Sequence, residues 1–295
     1  MNRDAARGQR NDAPRGIAWM VAGSLFIALQ VTLVKYVAAD GYSALQLLWV
    51  RYLVQMALVL IVTIRTDPRA MLVTRRPSLQ LARSVCALLS AASGFAAFAL
   101  LPLTLVTSVH FAAPFIVAAL SVWLLGESIS TDRWLAILVG FAGVLIVVQP
   151  GAADWRPEML LPICGAIFFA IFQILTRAVA AYDSVATSVF YAPFAGAVVL
   201  AALMPFFWRT PDLLDFGLML ALGVFGAIGQ SALTKATQAA AASIVAPFQY
   251  VQIVWVAGAG FIVFGTLPDL WTLIGASVII ASGLYLFRRR KSRTI

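Results

Sequence analysis

Apolar residues run along this chain in long unbroken blocks with short polar interruptions, which is the pattern of membrane-spanning helices and not that of buried strands. A bilayer core needs about 20 apolar residues per helix. Ten segments fit: Ile17–Ala38, Ser43–Ile64, Leu79–Leu100, Leu103–Leu125, Arg133–Val148, Met159–Val179, Val185–Phe206, Leu214–Lys235, Ala241–Phe264 and Leu270–Phe287. Only Leu101-Pro102 divides the third from the fourth, and the Ala-rich stretch Thr237–Ala242 reads as a tight turn or as continued helix. An Arg-bearing tail leads the first segment, and no small-residue cleavage site followed by a soluble domain comes after it. It is therefore read as a retained span and not as a signal peptide.

Composition agrees with the pattern. The 295 residues are 62% hydrophobic and 11% charged, whereas a soluble domain is about a quarter charged. Such a chain has too little polar surface to cover a globule in water. The net charge of +9 would suggest nucleic acid in a soluble protein. Here the charge sits in tails and loops, and no basic patch is interleaved with aromatics, so nucleic-acid binding is set aside. With a cytoplasmic N-terminus, sixteen basic residues fall on the inner side (Arg3, Arg7, Arg10, Arg15, Arg65, Arg69, Arg75, Arg76, Arg133, Arg177, Lys235, Arg288, Arg289, Arg290, Lys291 and Arg293). Three, Arg156, Arg209 and Lys35, fall on the outer side. The positive-inside rule then places both termini in the cytoplasm, which requires an even number of spans.

The chain carries weak internal repeats. Gly23-Ser-Leu-Phe-Ile-Ala28 in the first span matches Gly165-Ala-Ile-Phe-Phe-Ala170 in the sixth, and the same offset pairs Lys35 with Arg177. Leu124-Leu-Gly126-Glu127-Ser128 matches Val263-Phe-Gly265-Thr266-Leu267. The expected organisation is an N-terminal tail (1–16), a first five-helix repeat (17–148), a second (159–287) and a basic C-terminal tail (288–295). An odd number of spans per half makes the second half enter from the opposite side. The fold class expected is thus all-α, with ten transmembrane helices in two inverted repeats, an arrangement that in carriers places the substrate near the midplane.

These residues make the sequence similar to the drug/metabolite transporter superfamily, and within it to the ten-helix EamA-like branch. The resemblance runs from Gly16 to about Phe287. It rests on the small-Phe start of each half, Arg51 in span 2, Pro114 in the middle of span 4 and Gly126-Glu127 closing that span. Thr266 departs from it, standing where an acidic residue often sits. The resemblance implies a secondary transporter of the cell inner membrane, commonly an exporter of amino acids or related metabolites, with spans 1–4 and 6–9 around the cavity.

All twelve acidic residues lie in tails, loops or span ends. A carboxylate sodium site or an Asp/Glu proton relay has no obvious material. Arg51 sits inside span 2, where an insertion scale charges about 2.5–3.5 kcal/mol for a central Arg. It either faces the cavity and binds a substrate carboxylate, or it snorkels, stacks on Trp49 or Tyr52, or pairs with Asp40. Arg83 and Lys35 read as snorkelling to opposite interfaces. His110 is the single histidine and the one side chain in a span that titrates ordinarily near physiological pH. It is either a proton-coupling group or a neutral hydrogen-bonded residue. Gln30, Gln173, Gln230, Gln249 and Gln252 are glue between helices or contacts to solute, and Tyr191, Tyr250 and Trp255 are aromatic wall or packing. Pro114, Pro193 and Pro247 interrupt spans 4, 7 and 9 as gating bends or static kinks. Cys86 and Cys164 lie in apolar segments without histidine neighbours, so neither a disulfide nor a metal site is expected.

Two functions follow. The first is alternating-access export of amino acids, hydrophobic and aromatic ones included, or of related small metabolites. The second is uptake or exchange of larger metabolites such as nucleotide-derived cofactors. An enzyme is excluded, because the chain lacks His-Glu pairs, a Gly-x-Ser-x-Gly elbow and an intramembrane Asp pair. No pore loop or charged ring marks a channel. No cofactor and no obligate protein partner are expected; the partners are the small-molecule substrate and the bilayer.

Overall fold

The computed structural model describes residues 12–63, 74–125, 131–149, 155–179, 182–183, 185–240, 245 and 248–291. The described chain is helical throughout: α1 Ala13–Ala39, α2 Ala44–Thr63, α3 Pro77–Leu100, α4 Leu103–His110, α5 Ala113–Leu125, α6 Thr131–Val148, α7 Leu160–Val179, α8 Val185–Phe207, α9 Leu213–Ala239, α10 Val251–Phe264 and α11 Leu270–Lys291. A 3-10 turn, Pro157–Met159, leads into α7. Six helical stretches are long and apolar enough to cross a membrane, and four shorter apolar ones lie in α6, α8, α10 and α11. They fall on the ten segments read from the sequence.

Short polar signals set the ends. Asp12, Asp212 and Asp269 each accept a hydrogen bond from the backbone N–H three residues on, satisfying a donor that the first helical turn leaves free. Ala240 is extended (φ −145, ψ 160) and ends α9, so the helix runs into the ambiguous Ala-rich stretch and stops within it. Gly265 takes the left-handed conformation (φ 66) and closes α10, a backbone that favours glycine. Its repeat partner Gly126, with Glu127, lies outside the described residues.

Two spans are discontinuous. Span 4 breaks at Phe111-Ala112 into α4 and α5. Pro114 has no N–H to return to the carbonyl four residues back, so the ladder fails at the end of α4. Span 9 shows the same feature at Tyr250, where α10 begins. The two breaks meet: Phe111 and Tyr250 lie edge to face with ring centroids 5.0 Å apart.

The principal helix contacts are α1 with α9, α6 with α11, α3 with α7 and α2 with α8, followed by α1 with α10, α2 with α9, α3 with α8 and α5 with α7. Exchanging the first five spans for the last five turns each of these pairings into itself or into another of the set. Glycines let the backbones approach. Gly23 and Gly229 face each other between α1 and α9, and Gly143 and Gly275 do so between α6 and α11, the usual device of membrane helix packing.

Candidate functional site

Lys35, Arg83 and Arg51 are cations within the spans, and the structure gives them three environments. Lys35 donates from Nζ to the Leu101 carbonyl at 2.8 Å and lies 5.5 Å from the centre of the Phe264 ring. It caps the open C-terminal end of α3. Arg83 donates from Nε to Thr176 Oγ1 at 2.8 Å and lies over Phe172. It also donates from Nη1 to Gln80 Oε1, and the Gln80 amide donates to Asp183. Arg83 is therefore a strut between α3 and α7. Arg51 differs. Its guanidinium lies over the Phe95 ring at 5.4 Å and near Tyr52 at 5.9 Å. Among the described residues no carboxylate pairs with it. A half-buried cation held only by ring faces keeps its five donors for something else.

The other candidates divide by place. His110 ends α4 beside the helix break, with its ring 4.9 Å from that of Phe169 on α7. Gln30 is buried on α1, its carboxamide seated against Gly226 of α9. Gln252 and Tyr250 are buried at the start of α10, and Tyr250 packs against Gly283 of α11 as well as Phe111. Trp255 packs on the cluster of Ala28, Val31, Leu103 and Val256. Gln249 is half-buried next to the break, while Gln173 and Gln230 are exposed. Tyr191 sits on α8, its carbonyl accepting from Ser84 of α3. Pro114 stands directly after the first break; Pro193 is buried inside α8 without a break. Pro247 lies outside the described residues. Among the described residues no His, Cys, Asp and Glu group is placed to hold a metal, and Cys86 and Cys164 are free thiols.

One residue joins three apolar clusters of this interior. Phe98 of α3 packs against the cluster that holds Phe95, against the one that holds Leu103 and Val256, and against the one that holds Phe111 and Tyr250. Sequence reading passed it over, since a lone phenylalanine in a span carries no signal of its own. Two shallow clefts open at one end of the bundle, lined by Leu100, Leu101, Arg156 and Glu158 and by Ile146, Gln149 and Trp271. Neither reaches the candidate residues, and the unpaired polar chemistry lies deeper, between α1, α2, α3, α4 and α10.

The ends of the bundle carry polar clasps. At the end of the α1–α2 loop, Gln46 donates to the Arg209 carbonyl at 2.7 Å and accepts from its N–H at 3.0 Å. Arg209 also donates to the Asp40 carbonyl and lies over Tyr42. The Asp215 carboxylate accepting from Tyr42, together with burial, holds that phenol above its ordinary pKa. At the opposite end Asp183, after α7, accepts from Thr74 Oγ1, Arg75 N–H and Gln80 Nε2 before and within α3. Burial pushes the Asp183 carboxyl up, but those three hydrogen bonds and the Arg75 charge outweigh it and hold the group below its ordinary value.

A model of the EamA-like transporter family matches residues 14–149 and again residues 156–288. An S-adenosylmethionine uptake transporter of Rickettsia bellii (strain RML369-C) is 29% identical over 276 residues, 94% of either chain. A riboflavin transporter of Vibrio cholerae is 32% identical over 57% of this chain and 58% of its own. The pseudopaline exporter CntI of Pseudomonas aeruginosa is 31% identical over 72% of this chain and 75% of its own. A crystal structure of another protein superposes with a TM-score of 0.62 at 17% identity, over 93% of this chain and 99% of that one, which is a likeness of fold.

Proposed function

Because the chain belongs to the EamA-like transporter family, and is thus a multi-pass membrane transporter and not an enzyme, we propose that it carries small metabolites in which a carboxylate is joined to an apolar or ring-bearing part. Amino acids satisfy that description, and so do amino-acid-bearing cofactors of the S-adenosylmethionine kind. The observation that carries the reading is Arg51, a cation inside the bundle resting on Phe95 with no carboxylate partner among the described residues. An unpaired charge in a span is costly and marks a substrate or ion path, and a guanidinium matches a carboxylate with two parallel hydrogen bonds.

The name of the Rickettsia relative, which is similar over nearly the whole chain, favours the cofactor side of this class over plain amino acids. Export has the weaker support, since the relatives named include an uptake carrier and an exporter. The second reading, amino-acid export, keeps the same site and differs in the ring-binding part.

Transport proceeds by alternating access between two halves of opposite orientation, with both termini cytoplasmic. The exchange-symmetric helix contacts, the paired breaks in spans 4 and 9 and the sixteen-to-three distribution of basic residues support this arrangement. His110, beside one break, is the group available for proton coupling.

The test is uptake of radiolabelled S-adenosylmethionine, riboflavin, phenylalanine and leucine into proteoliposomes holding the purified protein, with and without a pH gradient. Accumulation of at least one carboxylate-bearing compound, competed away by its unlabelled form, is expected. No uptake of any carboxylate-bearing compound above empty liposomes refutes the proposal. Where uptake responds to the gradient, His110→Gln removes the response; a response that survives rules His110 out as the coupling group.

A further inference from the structure

Three buried side-chain polar atoms lack a hydrogen-bond partner among the described residues: Thr107 Oγ1, Trp255 Nε1 and Trp155 Nε1. Trp155, ahead of α7, packs on the cluster of Leu101, Leu105 and Val148 and not on the one against which Trp255 packs. The other two are linked through Leu103. Leu103 and Thr107 are four residues apart on one face of α4, and Leu103 belongs to the cluster against which Trp255 packs. Thr107 also departs from its own kind. Thr32, Ser108, Thr176, Thr234 and Ser277 each turn the hydroxyl back to the carbonyl four residues earlier, and Thr107 does not.

Register adds a third group. One turn beyond Thr107, Phe111 meets Tyr250; one turn before it, Leu103 joins Val256. As alternate crossings of the bundle, α4 and α10 run antiparallel, so these two contacts bracket Thr107 on one helix and Gln252 on the other at about the same level. Gln252 is 9% exposed and shares a face of α10 with Val256.

We infer that the Thr107 hydroxyl, the Trp255 indole N–H and the Gln252 carboxamide form a second pole of the substrate site, which hydrogen-bonds the acceptor edge of an uncharged flat heterocycle. The inference rests on the carrier reading above, in which Arg51 takes the carboxylate. The two poles are close: Phe95, under Arg51, and Phe98, against the Trp255 cluster, are three residues apart on α3, which is less than one helical turn. The chemistry selects the ligand. An indole N–H only donates, so it needs an acceptor and cannot serve an ammonium. The walls beside it, Ile27, Phe98 and Phe264, suit a flat apolar face. A buried donor also discriminates sharply against a ligand that lacks the acceptor.

The experiment compares radiolabelled S-adenosylmethionine, which has a heterocycle and a carboxylate, with methionine, which has the carboxylate alone, in proteoliposomes. Thr107→Val keeps the shape and removes one donor; Trp255→Phe keeps an aromatic ring, smaller than the indole, and removes the other donor. Each is expected to raise KM for S-adenosylmethionine by about tenfold or more and to raise that for methionine much less, and Thr107→Ser is expected to restore S-adenosylmethionine transport. If Thr107→Val is not monodisperse on gel filtration, Thr107→Ala is measured in its place. Wild-type KM in both donor-less variants, or an equal rise for methionine, overturns the inference. Transport of methionine but of neither S-adenosylmethionine nor riboflavin by the unmodified chain also overturns it, while leaving the carrier reading intact. No transport of any compound brings down the carrier reading, and the second pole with it.

Discussion

Lys35, Arg83 and Arg51 show how identical sequence cues separate once their neighbours are known. A lysine near a span end finds a carbonyl that a finished helix has left without a donor. An arginine one turn into α3 finds a threonine, a glutamine and a ring. Arg51 finds ring faces alone. Replacing Lys35 therefore has a different consequence from replacing Arg51. Lys35→Met is expected to lower the melting temperature and spare KM. Arg51→Gln is expected to keep the melting temperature and lower kcat/KM for a carboxylate-bearing substrate by about ten- to a hundredfold, the worth of a hydrogen bond to a charged group. Arg51→Lys loses less, because the charge survives and the two-pronged geometry does not. Radiolabel uptake and a thermal-shift assay on the same preparations separate these outcomes; an Arg51→Gln protein with unaltered kinetics would remove the residue from the site.

At the scale of elements, close packing between pairs of helices is carried by glycine. A Cβ added at Gly275 would stand 2.6 Å from the Gly143 carbonyl oxygen and close to Val147. Backbone cannot yield as a flexible side-chain end does, so α6 and α11 must move apart. Gly275→Ala is expected to destabilise the protein by about 1–3 kcal/mol, the usual cost of overpacking. Gly217 near the start of α9 is the control, since a Cβ there meets nothing within 4 Å. Gly217→Ala is expected to be neutral or mildly stabilising, because alanine is the better helix former. Thermal unfolding in detergent measures both, and equal melting temperatures would show that the α6–α11 contact does not limit stability. The broken helices obey the same logic of backbone groups. Pro114 removes one N–H, the ladder parts, and the resulting turn places Phe111 against the corresponding turn of span 9.

For the whole molecule, the two clasps lie at opposite ends of the bundle: one ties the start of α2 to the segment between α8 and α9, and the other ties the segment before α3 to that between α7 and α8. The Gln46–Arg209 clasp is built largely on neutral and backbone groups. The other hangs on the Asp183 carboxylate. That difference makes one end sensitive to acid. A carboxyl whose pKa is depressed in the folded state contributes stability that is fully present above its unfolded pKa, about 3.9, and is lost as pH falls through the lower folded value. Asp183→Asn is therefore expected to lower the melting temperature by the same amount from pH 8 down to about 5, and the gap between variant and wild type is expected to close as pH falls below the ordinary carboxylate range. A gap that persists in acid would mean that Asp183 acts through packing and not through its charge.

Span number, the ten-helix architecture and family membership were legible in the chain because they depend on local quantities. Twenty apolar residues in a row must be helix in a bilayer, since every backbone group has to be satisfied within the segment, and this holds whatever lies beside it. The recurring Gly-x-x-Phe start and the glycine that closes spans 4 and 9 needed no neighbour either, nor did the Pro114 break. Tertiary structure alone decided which polar groups in the spans have partners. Arg83 and Arg51 look alike in sequence, yet one is bonded and the other is not, because pairing depends on helices about ninety residues apart, as Arg83 with Thr176 shows. Thr107 was unmarked among the many hydroxyls of the spans until the absence of its back-bond was visible, and Phe98 until three clusters were seen to meet on it. Hydrophobic length is a property of a segment, whereas an unsatisfied donor is a property of everything around it.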